Sequence, residues 1–290
     1  MALRELIITH ETPELQEAFI DFVPQVFPEI SFRRWRDRGG WDERYLAFAL
    51  AEENRIVASA SRQEMLLMLN GQRTRGWQLS AVGTLPEYRR RGLQQQIMAR
   101  LLAHTPEAEP MFLFANDSVL HFYPRFGFQR AREHKFQAPC VLQPSAAALR
   151  ALDVADPADL ALLLRIAARA RPLSADFSAC DHGRIILWYA SNFAWLSLRH
   201  VPEHAALIAV AQDGELLHLL DVLSAQPFEL RTVLPRLLTQ PITRVELGFT
   251  PHGVWPGAEP AYEYTESPLF VRGALPLPRQ PFKFPMLAQT

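Results

Sequence analysis

Apolar residues along this chain recur with two spacings, every second residue and every third or fourth, and the alternation between them divides it into strands and helices. Residues 5–10 predict a short strand, and Pro13 then opens a helix carrying Leu15, Phe19, Phe22 and Val26 on one face. Residues 45–52 and 55–69 read as strands around Glu53-Asn54. Asn70-Gly71 is a hairpin signal, so a strand from 72 to about 84 completes an antiparallel meander. Residues 93–104 predict a helix with Ile97, Leu101 and Leu102 inward, and residues 111–115 a short strand buried on both faces. Asn116-Asp117-Ser118 caps a helix to Phe122 or Tyr123; Pro124 and Gly127 stop it, and a strand follows from Phe128 towards Val141. Between 30 and 41, Phe32, Trp35 and Trp41 alternate with Arg33, Arg34, Arg36 and Arg38. This stretch predicts a second amphipathic helix ending at Gly39-Gly40, although interleaved aromatic and basic residues also suit nucleic acid.

Residues 142–150 read as a linker. Beyond it, Asp156-Pro157 starts a capped helix, residues 183–198 another, and Asp213-Gly214 joins strands 205–212 and 215–224. A helix over 227–238 and strands over 244–250 and 267–272 follow. This order echoes the first half. The expectation is a mixed α/β sheet protein built from two tandem domains, 1–143 and 144–290. The proline-rich segment 276–285 predicts an extended chain packed along the surface.

Composition narrows the function. Of 290 residues 49% are hydrophobic and 21% charged, enough for a sizeable core. The net charge of -1 offers no field for nucleic acid or an acidic membrane, so any anion site must be local. Cys140 and Cys180 form neither a disulfide framework nor a metal motif, which fits a reduced, cytoplasmic protein without a metal. No secretory leader and no long apolar run predicts export or a membrane span.

Residues 79–102 carry the chemistry. An apolar strand meets Arg89-Arg90-Arg91-Gly92 and then the helix. The first N–H groups of a helix lack intrahelical partners and sit at its positive end, so this turn suits a phosphate or pyrophosphate. The corresponding place in the second half, Ser224-Ala-Gln-Pro-Phe228, has no glycine and no donor cluster, so a second copy would have lost the site.

Two motifs then match a known pattern. Val82-Gly-Thr-Leu-Pro-Glu-Tyr-Arg-Arg-Arg-Gly-Leu93 resembles the acetyl-CoA signature of the GNAT superfamily of N-acetyltransferases, and Asn116-Asp-Ser-Val-Leu-His-Phe-Tyr-Pro-Arg-Phe-Gly-Phe128 resembles its second characteristic run. The overall order is similar to tandem enzymes of the enhanced-intracellular-survival type, with a degenerate second GNAT-like domain. Their third, sterol-carrier-like domain has no room here.

The resemblance implies acetyl-CoA as co-substrate. Backbone groups of Val82 and Thr84 would pair with its pantetheine arm, Arg90, Arg91, Gly92, Leu93 and Gln94 would hold the pyrophosphate, and Asn116 would touch the arm. Gln94 stands where the family has a small residue. Tyr123 would be the general acid for the departing thiolate, a role its position at a helix end allows; a core aromatic is the alternative, and His121 reads as packing or solvent-facing. The base is open between Glu64, which also reads as an exposed strand residue, and Thr290 by analogy with the tandem enzymes. Trp35, Trp41 and Tyr45 would wall the acceptor pocket, with Asp37, Asp42 and Glu43 drawing a cationic amine, or these aromatics simply pack. The expected activity is transfer of acetyl to a primary amine of a small molecule or peptide, with a homo-oligomer left open. A non-catalytic acyl-CoA sensor or transfer of another acyl group are the competing expectations.

Overall fold

Hairpin chemistry and side-chain alternation place most of the first half. In the computed structural model, which describes residues 3–251, 253–255, 257–273 and 275–290, β1 (Arg4–Ile8), β2 (Tyr45–Glu52), β3 (Arg55–Leu69) and β4 (Gln72–Thr84) form an antiparallel series. Asn70 and Gly71 have φ of 48° and 80°, the left-handed pair that matches strand twist in a two-residue turn. α1 (Pro13–Val26) buries Phe19, Phe22 and Val23. α2 (Arg33–Asp37) is a short helix before β2, and α3 (Leu93–Ala103) buries Ile97, Met98 and Leu101. β5 (Met111–Phe114) runs parallel to β4, and β6 (Gln129–Leu142) closes the half.

The second half contains α4 (Pro157–Arg169), β7 (Phe177–Cys180), α5 (Gly183–Asn192), β8 (Ser197–Val201), β9 (Ala206–Asp213), β10 (Leu216–Leu223), α6 (Leu230–Val233), β11 (Ile242–Leu247) and β12 (Glu259–Arg272). The Asp156 carboxylate caps α4 by accepting from the N–H groups of Ala158 and Asp159. Among the described residues, one sheet runs β1-β2-β3-β4-β5-β12-β6-β11-β10-β9-β8, with β7 on β3. From β2 to β8 this order is a palindrome. β10 and β11 are parallel as β4 and β5 are, and β10 has a one-residue bulge between Leu219 and Asp221 where β4 has one at Ala81. The halves repeat one plan and exchange their last strands: β12 lies between β5 and β6, and β6 between β12 and β11.

Several expectations need correction. The predicted helix at 30–41 shrinks to α2, because Phe32, Trp35, Trp41 and Tyr45 turn into one buried aromatic cluster. Gly40 lies against the Trp35 indole, where a Cβ would come within 2.1 Å of Nε1. Residues 116–126 form two 3-10 turns, Asp117–Val119 and Tyr123–Phe126, instead of a capped helix; the Asn116 side chain caps nothing and Pro124 supplies no N–H. The helix at 227–238 is cut to α6 and a 3-10 turn around Pro235. The helix expected over 183–198 ends at Asn192 and gives way to β8. β7 was not foreseen.

The largest correction concerns the tail. Far from lying on the surface, Phe282, Lys283, Phe284, Leu287 and Ala288 are buried. The Met286 N–H donates to the Gly248 carbonyl and the Gly248 N–H to the Leu219 carbonyl, at 2.8 and 2.9 Å, so the tail enters the gap where β10 and β11 part. Lys283 and Glu133 pair at 3.0 Å, each 1% exposed, with the ammonium 4.0 Å from the Tyr264 ring centroid. The other Glu133 oxygen accepts from the Phe284 N–H at 2.7 Å. Burial pushes the Glu133 carboxyl up and the Lys283 ammonium down, each towards neutrality.

Removing one partner strands a buried charge. Lys283→Met should therefore lose about 3–5 kcal/mol of unfolding free energy in urea, and adding Glu133→Gln, which keeps an acceptor for Phe284, should recover most of it. Equal stability of the single variant and the parent would refute this role for the pair.

Candidate active site

The site begins where β4 and β5 separate. Their parallel register covers only Trp77↔Met111 and Gln78↔Phe112. Beyond it, Ala81 takes φ 46° in the bulge, held by the Ser59 hydroxyl donating to its carbonyl at 2.8 Å. The strands diverge around a cavity of about 1090 Å³.

At one end stands the arginine-rich turn. Arg90 and Gly92 are both left-handed, with φ of 62° and 75°, and Gly92 leads directly into α3. Tyr88, Arg89, Arg90, Gly92, Leu93, Gln94 and Gln95 line the cavity, with Val82 and Thr84 along the β4 edge. The start of α3 and two arginines thus line the same cavity, a setting that suits an anion. Arg91 does not join them. Its guanidinium donates to the Glu87 carbonyl at 2.9 Å and stacks 4.8 Å from the Tyr88 ring centroid, so Arg89 replaces it as the second cavity arginine. Gln94 turns back to donate to the Ser59 carbonyl at 2.9 Å, tying α3 to β3 instead of blocking the turn.

Opposite, Asn116, Ser118, Val119, His121, Phe122 and Tyr123 form the second wall. Asn116 is exposed and its side-chain amide has no partner among the described residues. His121, expected to point elsewhere, lies on this wall. Tyr123 is 5% exposed, packed by Phe122, Phe128 and Phe270, and burial pushes its phenol up to about 12. It stays protonated at neutral pH.

Beyond Tyr123 the cavity is walled by Trp35, Tyr45, Gln63, Leu79, Phe114, Ile185, Trp188 and Thr290. Trp41 is not among them; it is buried behind, against Phe19, Phe32 and Tyr45. Glu64 is also absent. Alternate strand residues face opposite sides, so with Gln63 in the cavity Glu64 points away, 3.9 Å from Arg75. Asp37 pairs with Arg36, and Asp42 with Arg44 and Arg184, which removes both from the proposed attraction of a cation; Glu43 does not line the cavity either. Thr290 is placed by the buried Gln78 amide, which donates to the Ala288 carbonyl at 2.9 Å and accepts from the Thr290 N–H at 2.7 Å. Ile185, Trp188 and Thr290 all come from the second half. No local signal marks Ile185 or Trp188, because only the α5 packing brings them here: the Trp35 indole N–H donates to the Arg184 carbonyl at 2.8 Å and the Asn192 side chain accepts from the Ser31 N–H at 2.8 Å.

Residues 12–131 match the family model described as an acetyltransferase (GNAT) domain. The first half therefore carries a stretch that matches a GNAT acetyltransferase domain. The fold of the chain is similar to that of Eis1 from Mycobacterium abscessus, at 19% identity and TM-score 0.57, covering 93% of this chain and 73% of that one. It is also similar to a GCN5-related N-acetyltransferase from Anabaena variabilis, at 18% identity and TM-score 0.55, covering 93% and 72%. A probable N-acyltransferase from Enterococcus faecalis shares 10% identity with a TM-score of 0.57 over 94% and 72%. No curated protein matches the sequence. These likenesses establish a tandem GNAT fold. Among the described residues no group of three or more His, Cys, Asp or Glu is placed to hold a metal, and no helix is long and apolar enough to cross a membrane.

The three arginines can be separated experimentally. In calorimetric titration with CoA, Arg89→Ala and Arg90→Ala should each weaken binding by about tenfold, the worth of one charge-assisted contact, while Arg91→Ala stays within about twofold. An Arg91 effect as large as the other two would contradict the observed side-chain directions.

Proposed function

We propose that this protein is an acyl-CoA-dependent N-acyltransferase that passes an acetyl group directly to a primary amine, with residues 1–143 holding the thioester and residues 144–290 completing the acceptor end. The observation that carries this reading is one cavity lined together by the arginine-rich turn, the buried protonated Tyr123 and an aromatic group drawn from both halves. Val82 and Thr84 would offer backbone groups to the pantetheine arm, Arg89, Arg90 and the N–H groups of Gly92, Leu93 and Gln94 would hold the pyrophosphate, and Asn116 would meet the arm from the facing wall. The bound thioester supplies an electrophilic carbonyl carbon and a thiol leaving group.

The protein's own groups move the protons. A neutral amine attacks, the new C–N bond forms as the C–S bond breaks, the leaving sulfur takes a proton and the nitrogen loses one. Tyr123 is the donor. We assign the amine's proton to the carboxyl of Thr290, a residue that lines the cavity where no Asp or Glu among the described residues does.

Tyr123→Phe should lower kcat by about 100-fold with little change in acetyl-CoA affinity, measured by thiol release and calorimetry. A parallel loss of affinity would return Tyr123 to a packing role. The pH profile tests the same group independently. An ordinary phenol ionises near pH ~10, whereas Tyr123 is raised to about 12, so its donating form persists and activity should rise with amine deprotonation without a falling limb up to about pH 10. A limb that disappears in Tyr123→Phe and is centred below that pH would contradict the assignment.

A further inference from the structure

The acceptor end has a distinctive chemical character. Its walls are Trp35, Tyr45, Phe114, Ile185 and Trp188, and its polar side chains, Gln63 and Ser80, are neutral, with the Thr290 carboxyl assigned above as its one acidic group. No Asp or Glu side chain lines the cavity among the described residues, and its basic side chains, Arg89, Arg90 and Arg125, belong to the cofactor end and its facing wall. The nearby acids are already engaged, Asp42 by Arg44 at 2.9 Å and Arg184 at 3.1 Å. Trp188 continues outward as an aromatic series: its ring centroid is 5.6 Å from that of Phe193, and Phe193 stacks on Trp195 at 5.5 Å. Trp195 is 49% exposed. A series of packed aromatic rings therefore links the exposed Trp195 to the cavity wall.

We propose that the acceptor is a primary amine carried on an aromatic body, and that Trp188 of the second half sets this preference. The inference rests on the N-acyltransferase reading above. An aromatic ring entering this end exchanges water for Trp and Tyr faces, which reward stacking and edge contacts as well as burial. The reacting nitrogen must be neutral, so the site has no need to bind it as a cation. A polyamine would bring several ammonium groups into a pocket whose one carboxyl, at Thr290, is already assigned to the reacting nitrogen, and an unpaired charge removed from water is costly. The chemistry is unchanged: the aromatic amine's nitrogen bonds the acyl carbon, the C–S bond breaks, and CoA leaves as the thiol with the proton that balances the one lost from nitrogen.

Tryptamine, 2-phenylethylamine and spermidine distinguish the possibilities. With acetyl-CoA and the full chain, kcat/KM read by thiol release should favour tryptamine over spermidine by at least about 50-fold, the scale of discrimination an apolar pocket supplies. Trp188→Ala should erase most of that ratio, and Trp188→Phe should retain it. Thermal shift of the CoA-saturated protein provides a second readout: the two aromatic amines should raise the melting temperature and spermidine should not. Transfer to spermidine at least as fast as to tryptamine would overturn the inference and leave the N-acyltransferase reading standing. Shifts by the aromatic amines with no transfer to any amine would overturn that reading and keep the aromatic ligand. Neither shift nor transfer with tryptamine or 2-phenylethylamine would overturn the inference itself.

Discussion

The structure depends on the insertion of β12 between β5 and β6. β5 has only four residues, parallel to β4 at one edge for two pairs, and its other edge is satisfied by Leu269–Arg272 of β12. A strand this short and apolar would otherwise leave unpaired backbone groups in the core, which folded proteins avoid. The same strand places Phe270 against Tyr123. The first-half cleft is thus held open, and its tyrosine held in place, by residues more than a hundred positions away in sequence. The two halves form one body around the cleft even though the arginine-rich and Asn116 motifs lie in one of them.

The duplicated plan explains why one cleft remains open and the other does not. Both β4 and β10 bulge and part from a parallel neighbour. In the first half the gap meets the Arg90-Gly92 turn and a helix of eleven residues. In the second it meets a four-residue helix, and the tail occupies the space through Gly248, Thr250 and the buried Lys283–Glu133 pair. Having filled that gap, the tail continues to Gln78 and brings Thr290 to the first cleft. The same segment thus fills one gap and lines the other.

The legibility of each feature followed from how local its cause was. Asn70-Gly71, the alternation of β3 and the capped start of α4 depend on a few neighbouring residues, and the sequence analysis placed them well. Gly92 and Asn116 were recognisable because their motifs are contiguous. Three consecutive arginines cannot share one direction: Arg89 and Arg90 line the cavity, and Arg91 turns to the Glu87 carbonyl and the Tyr88 ring. Glu64 was misplaced for want of a register: strand parity sends Gln63 inward and Glu64 outward, but only the pairing shows which is which. Trp188, Ile185 and β7 carried no local signal, since tertiary packing alone gives them their places.

On the function proposed above, the duplicated fold keeps one acyl-CoA cleft, the first, because the tail fills the second. The stoichiometry of acetyl-CoA on the full chain, measured by native mass spectrometry across a titration to saturation, tests it most directly. One molecule per chain is expected, with no second equivalent at saturation. Two equivalents, or none, would contradict it.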